Sequence, residues 1–248
     1  MIAGGCLAAL LHPRGVGLGL HTERGRMSRL LILDLFCGTK SSTRAFADAG
    51  HRVVSFDIDA SFEPDHALNI MDVSSEWLLE TYGRPDFVWL SPPCTAFSVA
   101  SIGHHWANGG AHPTPKTEAA VEAQRIVAKS RALAEELQPR FGFLIENPRG
   151  MLRKLPVLDG LERRTVTYCQ YGDRRMKPTD LWGTVPGWVA RPACRNGDSC
   201  HEAAPRGARS GTQGIAGAKD RGRVPYELGV ELLATIERHL TQYGGGYG

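Results

Sequence analysis

The 248-residue chain has no run of 18 consecutive apolar residues, which excludes an ordinary membrane-spanning helix. The first eleven residues are mildly apolar but carry no basic region ahead of them, so a secretory signal is not expected. The net charge is only +3, too little by itself to imply a nucleic-acid partner. The fingerprint G-x-G-x-x-G is missing from the first glycine turn, so a dinucleotide is not indicated. Disorder is excluded by composition, since 42% of residues are hydrophobic and 22% charged. The length suits one α/β domain with a substantial core and a small insert. Charge is unevenly spread: residues 163 to 223 hold 12 Lys or Arg against 5 Asp or Glu, a local excess of seven. A basic face of this kind suits phosphates.

The segment Asp86-Phe-Val-Trp-Leu-Ser-Pro-Pro-Cys-Thr-Ala-Phe-Ser98 is the most informative. Phe87 to Leu90 reads as a short buried strand. Ser91-Pro92-Pro93 stops it, because proline cannot continue a central ladder. Cys94 then lies just past the C-terminal edge of a strand, where open α/β sheets carry their sites. Cys94 is a nucleophile candidate, and an inert loop thiol is the alternative.

Leu30 to Leu33 predicts another strand, Asp34 to Gly38 a turn, and the following residues a helix to about Ala49. Gly50 suits the position after that helix. Arg52 to Asp59 predicts a second strand ending in carboxylates. A strand, glycine turn, helix, strand and acid form the logic of a nucleoside-binding βαβ unit. An ordinary βαβ unit with surface acids is the alternative. Phe141-Gly-Phe-Leu-Ile-Glu-Asn-Pro-Arg149 ends a further strand in Glu146-Asn147. A carboxylate there suits a general acid, or a cap or turn residue. Tyr168 to Trp182 reads as a basic cluster followed by a short strand, with a solvated charged loop as its alternative.

In this order the segments resemble the cytosine-C5 DNA methyltransferase family, especially its short, phage-like branch. The resemblance spans about residues 29 to 240 and implies a Rossmann-like α/β fold dependent on S-adenosylmethionine, with a small irregular recognition insert. Asp34-Leu-Phe-Cys-Gly38 is similar to the family's cofactor turn, which implies cofactor roles for Asp34, Phe36 and Gly38. Asp57 stands where the family has an acid for the ribose, and Ile58 where an apolar residue meets the adenine. Asp72 stands where another acid contacts the adenine edge. Pro92 is placed in the same pocket. Pro93-Cys94-Thr-Ala-Phe-Ser98 is similar to the catalytic loop, with Thr95 in place of the family's Gln. Glu146-Asn147-Pro148 is similar to Glu-Asn-Val. Arg175 and Lys177 fall near the paired arginines. Val224-Pro225 resembles part of the last motif, whose Gly-Asn-Ser lead is missing.

The resemblance implies a specific chemistry. Cytosine C5 is too weak a nucleophile to attack a sulfonium methyl unaided. A Cys94 thiolate adding to C6 converts the ring to an enamine-like nucleophile. Positive potential is expected to lower the thiol's pKa. Glu146, its pKa raised by burial, is expected to assist at N3, and Arg175 or Lys177 at O2. The target cytosine must leave the DNA stack. Arg206, Arg209, Arg221 and Arg223 are expected to contact DNA. Arg221 and Arg223 flank the missing Asn, so they also suit an anionic donor, a carboxylated S-adenosylmethionine that would make the chain a cytosine carboxymethyltransferase. Phosphate contacts are the preferred role. Two further readings stay open: an exocyclic amino methyltransferase, whose Ser-Pro-Pro-Tyr motif has no thiol, and a catalytically weak DNA-binding relative. A monomer in the cytoplasm of a bacterial or phage-infected cell is expected.

The remaining chain organises around these motifs. Residues 1 to 26 read as a disordered extension, with Met27-Ser28 a plausible natural start of a domain running to residue 248. Ser74 or Ser75 caps a helix through Tyr82. Ser98 to Lys116 reads as a long loop able to close over DNA. Thr114-Pro115 is expected to open a helix with its core stripe on Ala119, Ala123, Ile126, Leu133 and Leu137, ended by Pro139. Residues 184 to 220 are the least regular and match the recognition insert. Cys194, Cys200 and His201 suit zinc, but the spacing is not a standard knuckle and no fourth ligand is identified, so no metal is assigned. A disulfide is less favoured in a reducing compartment. Cys37 and Cys169 read as packed or loop thiols.

Overall fold

The computed structural model describes residues 29–107, 113–203 and 217–243. The expected N-terminal extension, Arg206 and Arg209 lie outside the described residues. The elements run β1 (Leu31–Leu35), α1 (Arg44–Asp48), β2 (Arg52–Asp57), β3 (His66–Ala67), α2 (Ser75–Tyr82), β4 (Phe87–Leu90), α3 (Ile102–His105), β5 (Trp106–Ala107), β6 (Thr114–Pro115) and α4 (Glu118–Leu137). They continue with β7 (Phe143–Pro148), β8 (Arg163–Thr167), β9 (Pro178–Thr184), α5 (Ala218–Gly222) and α6 (Tyr226–Tyr243). Seven strands form one sheet in the order β3-β2-β1-β4-β7-β9-β8. Strands β3, β2, β1, β4 and β7 are parallel, and β9 runs antiparallel to both β7 and β8. This is the expected Rossmann-like α/β fold. Among the described residues no helix is long and apolar enough to cross a membrane.

Central strands are buried on both sides, so they read as continuous apolar runs. The period of two still sorts their side chains. Leu31, Leu33, Leu35, Val88, Leu90 and Ile145 face one layer, packed with Leu78 of α2 and Val127, Leu133 and Leu137 of α4. Ile32, Phe87, Trp89, Leu144 and Leu181 face the other, packed with Phe46 of α1 and Leu228, Leu232 and Ile236 of α6. Helices α1 and α6 approach closely at Gly229: a Cβ there would lie 3.2 Å from the Ala45 Cβ.

Several boundaries differ from the sequence reading. Ser74 does cap α2, accepting from the Trp77 N–H at 3.1 Å. Helix α4 begins at Glu118, not at Pro115, because Thr117 caps it through the Ala120 N–H. Thr114–Pro115 instead pairs with Trp106–Ala107 as a small ribbon. That shift puts Ala120 and Val127 in the core, leaving Ala119 exposed and Ile126 half-buried. Part of the long loop after Cys94 is packed: Trp106 is buried, stacks on Phe97 at 6.1 Å and donates from Nε1 to the Ala96 carbonyl. Strand β8 had no sequence expectation, since Arg163 and Arg164 mask its short apolar part.

Asp34 illustrates how the turn after β1 is built. Its side chain is fully buried and accepts from the Ser42 and Thr43 hydroxyls, the latter at 2.6 Å. It braces the loop that leads into α1. Burial outweighs those hydrogen bonds and raises its carboxyl to about 6. A carboxyl raised in the fold binds its proton more tightly there than in the unfolded chain. Stability is therefore lost as pH rises from about 4 to 6, by at most about 3 kcal/mol. Asp34→Asn should gain melting temperature relative to the parent at pH 7.5, and less so at pH 4. Thermal melts at both values check this; a difference independent of pH would remove the buried carboxylate as its cause.

Candidate active site

The site forms where the parallel strands end. Strand β4 stops at Leu90, and Ser91-Pro92-Pro93 carries the chain over the sheet edge to Cys94. A tight turn follows, in which the Phe97 and Ser98 N–H groups donate to the Cys94 carbonyl at 2.9 and 3.0 Å. Its far end is pinned by the Met151 N–H on the Phe97 carbonyl at 2.8 Å. Gly150 makes this approach possible, since a Cβ there would lie 2.2 Å from the Phe97 oxygen.

Glu146 and Asn147 end β7 beside this turn. Leu90 is in register with Ile145, so the residues just beyond meet at one edge. The Asn147 side chain donates from Nδ2 to the Pro92 carbonyl at 3.0 Å and ties the two strand ends together. Glu146 is only 6% exposed, and its Oε1 accepts from the Tyr168 hydroxyl at 3.0 Å. Tyr168 is fully buried, and burial first, then the Glu146 charge, holds its hydroxyl well above the usual phenol range. It therefore stays a donor to Glu146.

Because β9 is antiparallel to β7, its start lies at the same edge. This brings in Lys177, whose ammonium sits 4.5 Å from the Tyr168 ring centre and donates to the Arg221 carbonyl at 2.9 Å. Its backbone φ of 24° is unfavourable for a residue with a side chain. Burial lowers its pKa, while the charges of Glu146 and Cys94 oppose that. The Cys94 thiol is pushed up, first by burial and then by Glu146, against the opposing cations Lys177 and Arg221. The expectation of a lowered thiol is thus not met: desolvation and a neighbouring carboxylate outweigh the positive potential.

Arg175 is placed differently from Lys177. It is 3% exposed, with its guanidinium held on the Asp173 carboxylate and donating to the backbone carbonyls of Asp220, Arg221 and Arg223. Burial works against ionisation of Asp173, yet the hydrogen bonds and charge of Arg175 outweigh it and hold the carboxyl low. Arg175 thus positions the segment carrying Arg221 and Arg223. Arg223 pairs with Asp220 at 3.2 Å.

A second pocket lies next to the thiol loop. A cleft of about 70 Å³ is lined by Phe36, Asp57, Ile58, Asn69, Ile70 and Pro93, among others. The Asp57 carboxylate accepts from the Gly38 and Asp59 N–H groups, both at 2.9 Å, and so fixes the glycine turn against β2. Phe36 and Gly38 both take positive φ, 65° and 47°. Ile58 is 70% exposed, an apolar side chain presented to the cleft. Four predicted residues stand apart from the lining: Gly38, whose N–H is taken up by Asp57, and three others. Asp34 is buried behind the turn, Asp72 is exposed at the end of the short turn Ile70–Asp72, and Pro92 is buried under the loop, leaving Pro93 to face the cleft. A wider groove of about 1020 Å³ opens between Thr39–Arg44 and the segments 171–175 and 223–227. It does not include Cys94 or Glu146.

No family model matches the chain. The frog virus 3 (isolate Goorha) protein named probable DNA (cytosine-5)-methyltransferase is 30% identical over 220 residues, covering 82% of this chain and 98% of the viral protein. Among solved structures, Entamoeba histolytica methyltransferase EhMeth is 12% identical with a TM-score of 0.46, covering 67% of this chain and 57% of that one. S. pombe Dnmt2 methyltransferase is 14% identical with a TM-score of 0.42, covering 66% and 52%. The chain thus spans just over half the length of each of these two structures. The extent of the viral match settles the family: this chain is a member of the DNA (cytosine-5)-methyltransferases.

Proposed function

We propose that the chain transfers a methyl group from S-adenosylmethionine to cytosine C5 in DNA through a covalent Cys94–C6 adduct. The observation that carries this reading is the convergence of Cys94, Glu146 and Lys177 at one strand edge, beside the cleft lined by Asp57 and Ile58. The chemistry of the cleft lining suits the donor's nucleoside: a carboxylate at its rim suits ribose hydroxyls, and exposed Ile58 suits a planar base. Phe36, Asp57, Ile58 and Pro93 would hold it, with Gly38 shaping the turn. When bound, the donor supplies an activated methyl on a sulfonium.

The residues divide the work. Cys94 adds to C6, and the ring's electron pair moves to C5. Glu146, braced by Tyr168, hydrogen bonds at N3 and relieves the charge that develops. Lys177 supports the thiolate and the cytosine O2. After C5 is methylated, loss of its proton expels Cys94 and restores the ring. A flipped cytosine is needed, because C6 is not reachable in a stacked duplex. Residues 184 to 220 serve as the recognition insert in this reading, with Arg206, Arg209, Arg221 and Arg223 directed at DNA.

A 5-fluorocytosine duplex tests the covalent step, since fluorine blocks release. Wild-type chain plus donor should form an adduct stable to denaturation, and Cys94→Ser should form none. Because the resting thiol is raised, the adduct rate should climb by about tenfold per pH unit below the thiol's pKa. An adduct in Cys94→Ser would sink the mechanism. Glu146→Gln should lower the single-turnover rate by roughly 10² while leaving donor affinity nearly intact. A selective loss of donor binding would move Glu146 to the other pocket.

A second reading concerns the transferred group. Arg221 and Arg223 flank the position of the missing Asn in the last motif, and Arg221 is the smallest of the influences on the Cys94 thiol. That favours testing a carboxylated donor, which would yield carboxymethylcytosine. Competition between plain and carboxylated donors, read by nucleoside mass, decides between them. Methyl transfer alone with both present eliminates the anionic donor; in the other case Arg221→Ala should restore preference for the plain one.

A further inference from the structure

We propose that Cys169, Cys194, Cys200 and His201 form a structural zinc site that staples the irregular segment after β9 to the turn beside the active site. The donor atoms of all four lie within 4.8 Å of one another. Cys169 Sγ is 3.1 Å from Cys194 Sγ and 3.6 Å from Cys200 Sγ. His201 Nδ1 is 3.7 Å from Cys194 Sγ and 3.6 Å from Cys200 Sγ. A tetrahedral zinc with Zn–S of about 2.3 Å and Zn–N of about 2.0 Å implies S–S edges of ~3.8 Å and S–N edges of ~3.5 Å. Three of the four distances match these edges within about 0.2 Å, and parting Cys169 from Cys194 by about 0.7 Å brings the fourth to length.

The missing fourth ligand comes from a distant part of the chain. Cys169 sits in the turn Tyr168–Tyr171, immediately after the residue that donates to Glu146. The other three lie beyond β9, where Arg195 and Asp198 close a tight turn and bring Cys200 back towards Cys194. Both sides are held without any metal. The Cys194 N–H donates to Thr167 Oγ1 at 3.0 Å, Arg191 donates to the Gln170 carbonyl at 2.6 Å, and the Glu202 N–H donates to the Arg174 carbonyl at 2.9 Å. The Gln170 side chain donates to Cys200 Sγ at 3.4 Å, the kind of outer hydrogen bond that orients a thiolate ligand.

Plain packing does not account for the arrangement. Thiols are weak hydrogen-bonding groups, and Cys200 is exposed and so gains little from burial. A Cys169–Cys194 disulfide would leave the convergence of Cys200 and His201 without a purpose. Three sulfurs and one imidazole select zinc, and four protein ligands make a closed structural site instead of a catalytic one. Loading one Zn²⁺ releases three thiol protons and leaves a net charge of −1 on the cluster. The consequence is positional. Residues 185 to 203 contain no regular element, so a metal staple would fix them relative to Tyr168, and through it relative to Glu146.

Metal content decides the matter independently of any methyl transfer. The full chain, purified with zinc available and without chelator, should carry about one zinc per molecule by elemental mass spectrometry. A mercurial reagent should release it, and cobalt exchange should give the thiolate charge-transfer and d–d bands of a tetrahedral site. Cys169→Ser, Cys200→Ser and His201→Asn should each lose at least tenfold in zinc affinity. Cys200→Ser and His201→Asn change partly or fully exposed positions, so they remain informative if Cys169→Ser does not fold. Cys94→Ser should keep its zinc. The proposal is overturned by metal-free wild-type chain under these conditions, by full zinc in the ligand variants, or by a Cys169–Cys194 linked peptide without metal.

Discussion

The parallel pairing of β4 with β7, closed by the Asn147 amide on the Pro92 carbonyl, is the constraint on which the site depends. Parallel strands in register end at the same edge. A thiol that follows one strand and a carboxylate that ends its neighbour are thereby brought together although they are far apart in the chain. The prolines at 92 and 93 end the ladder where the chain must turn over that edge. Gly150 then lets the same loop be anchored a second time, on β7's own continuation. The geometry is set by backbone pairing and two short contacts, not by the reactive side chains themselves.

Around that frame the structure handles buried charge. Glu146 is covered by Tyr168 and faced by Lys177, while Arg175 is taken up by Asp173 and by the carbonyls of residues 220, 221 and 223. The two cations of one short motif therefore do different work. One lies over the Tyr168 ring and is proposed to serve the reacting atoms, and the other holds the segment that carries Arg221. A raised thiol in the resting state follows from the same economy of solvent. Burial that sharpens electrostatic interactions also makes an unpaired thiolate costly, so under the proposed mechanism Cys94 is unmasked mainly once its target is present.

How much was legible in the sequence varied with the range of the interaction concerned. The strand ending at Leu90, the helix capped by Ser74, the glycine turn after β1 and the acid ending β2 could be read directly, because each depends on neighbours within a few residues. Cys94 and Glu146 could be located at strand ends for the same reason, each marked by proline or asparagine, whereas Asp57 was singled out from Asp59 only by the family resemblance. Asp34 and Pro92 could be located but not given their surroundings. Their side chains turn inward, and only packing against Ser42, Thr43 and the loop decides that.

By itself the amino-acid sequence determined the periodic apolar runs, the punctuation between them and the chemical types available at each strand end. Those are local properties of a chain. Tertiary structure alone decided which ends become neighbours. The order β7-β9-β8 is not the chain order, and only it brings Tyr168 to Glu146 and Lys177 to Cys94. The same crossing carries Cys169 to Cys194, Cys200 and His201. No spacing rule reveals such groupings, because antiparallel return of β9 joins residues whose separation along the chain has no periodic relation to their separation in space.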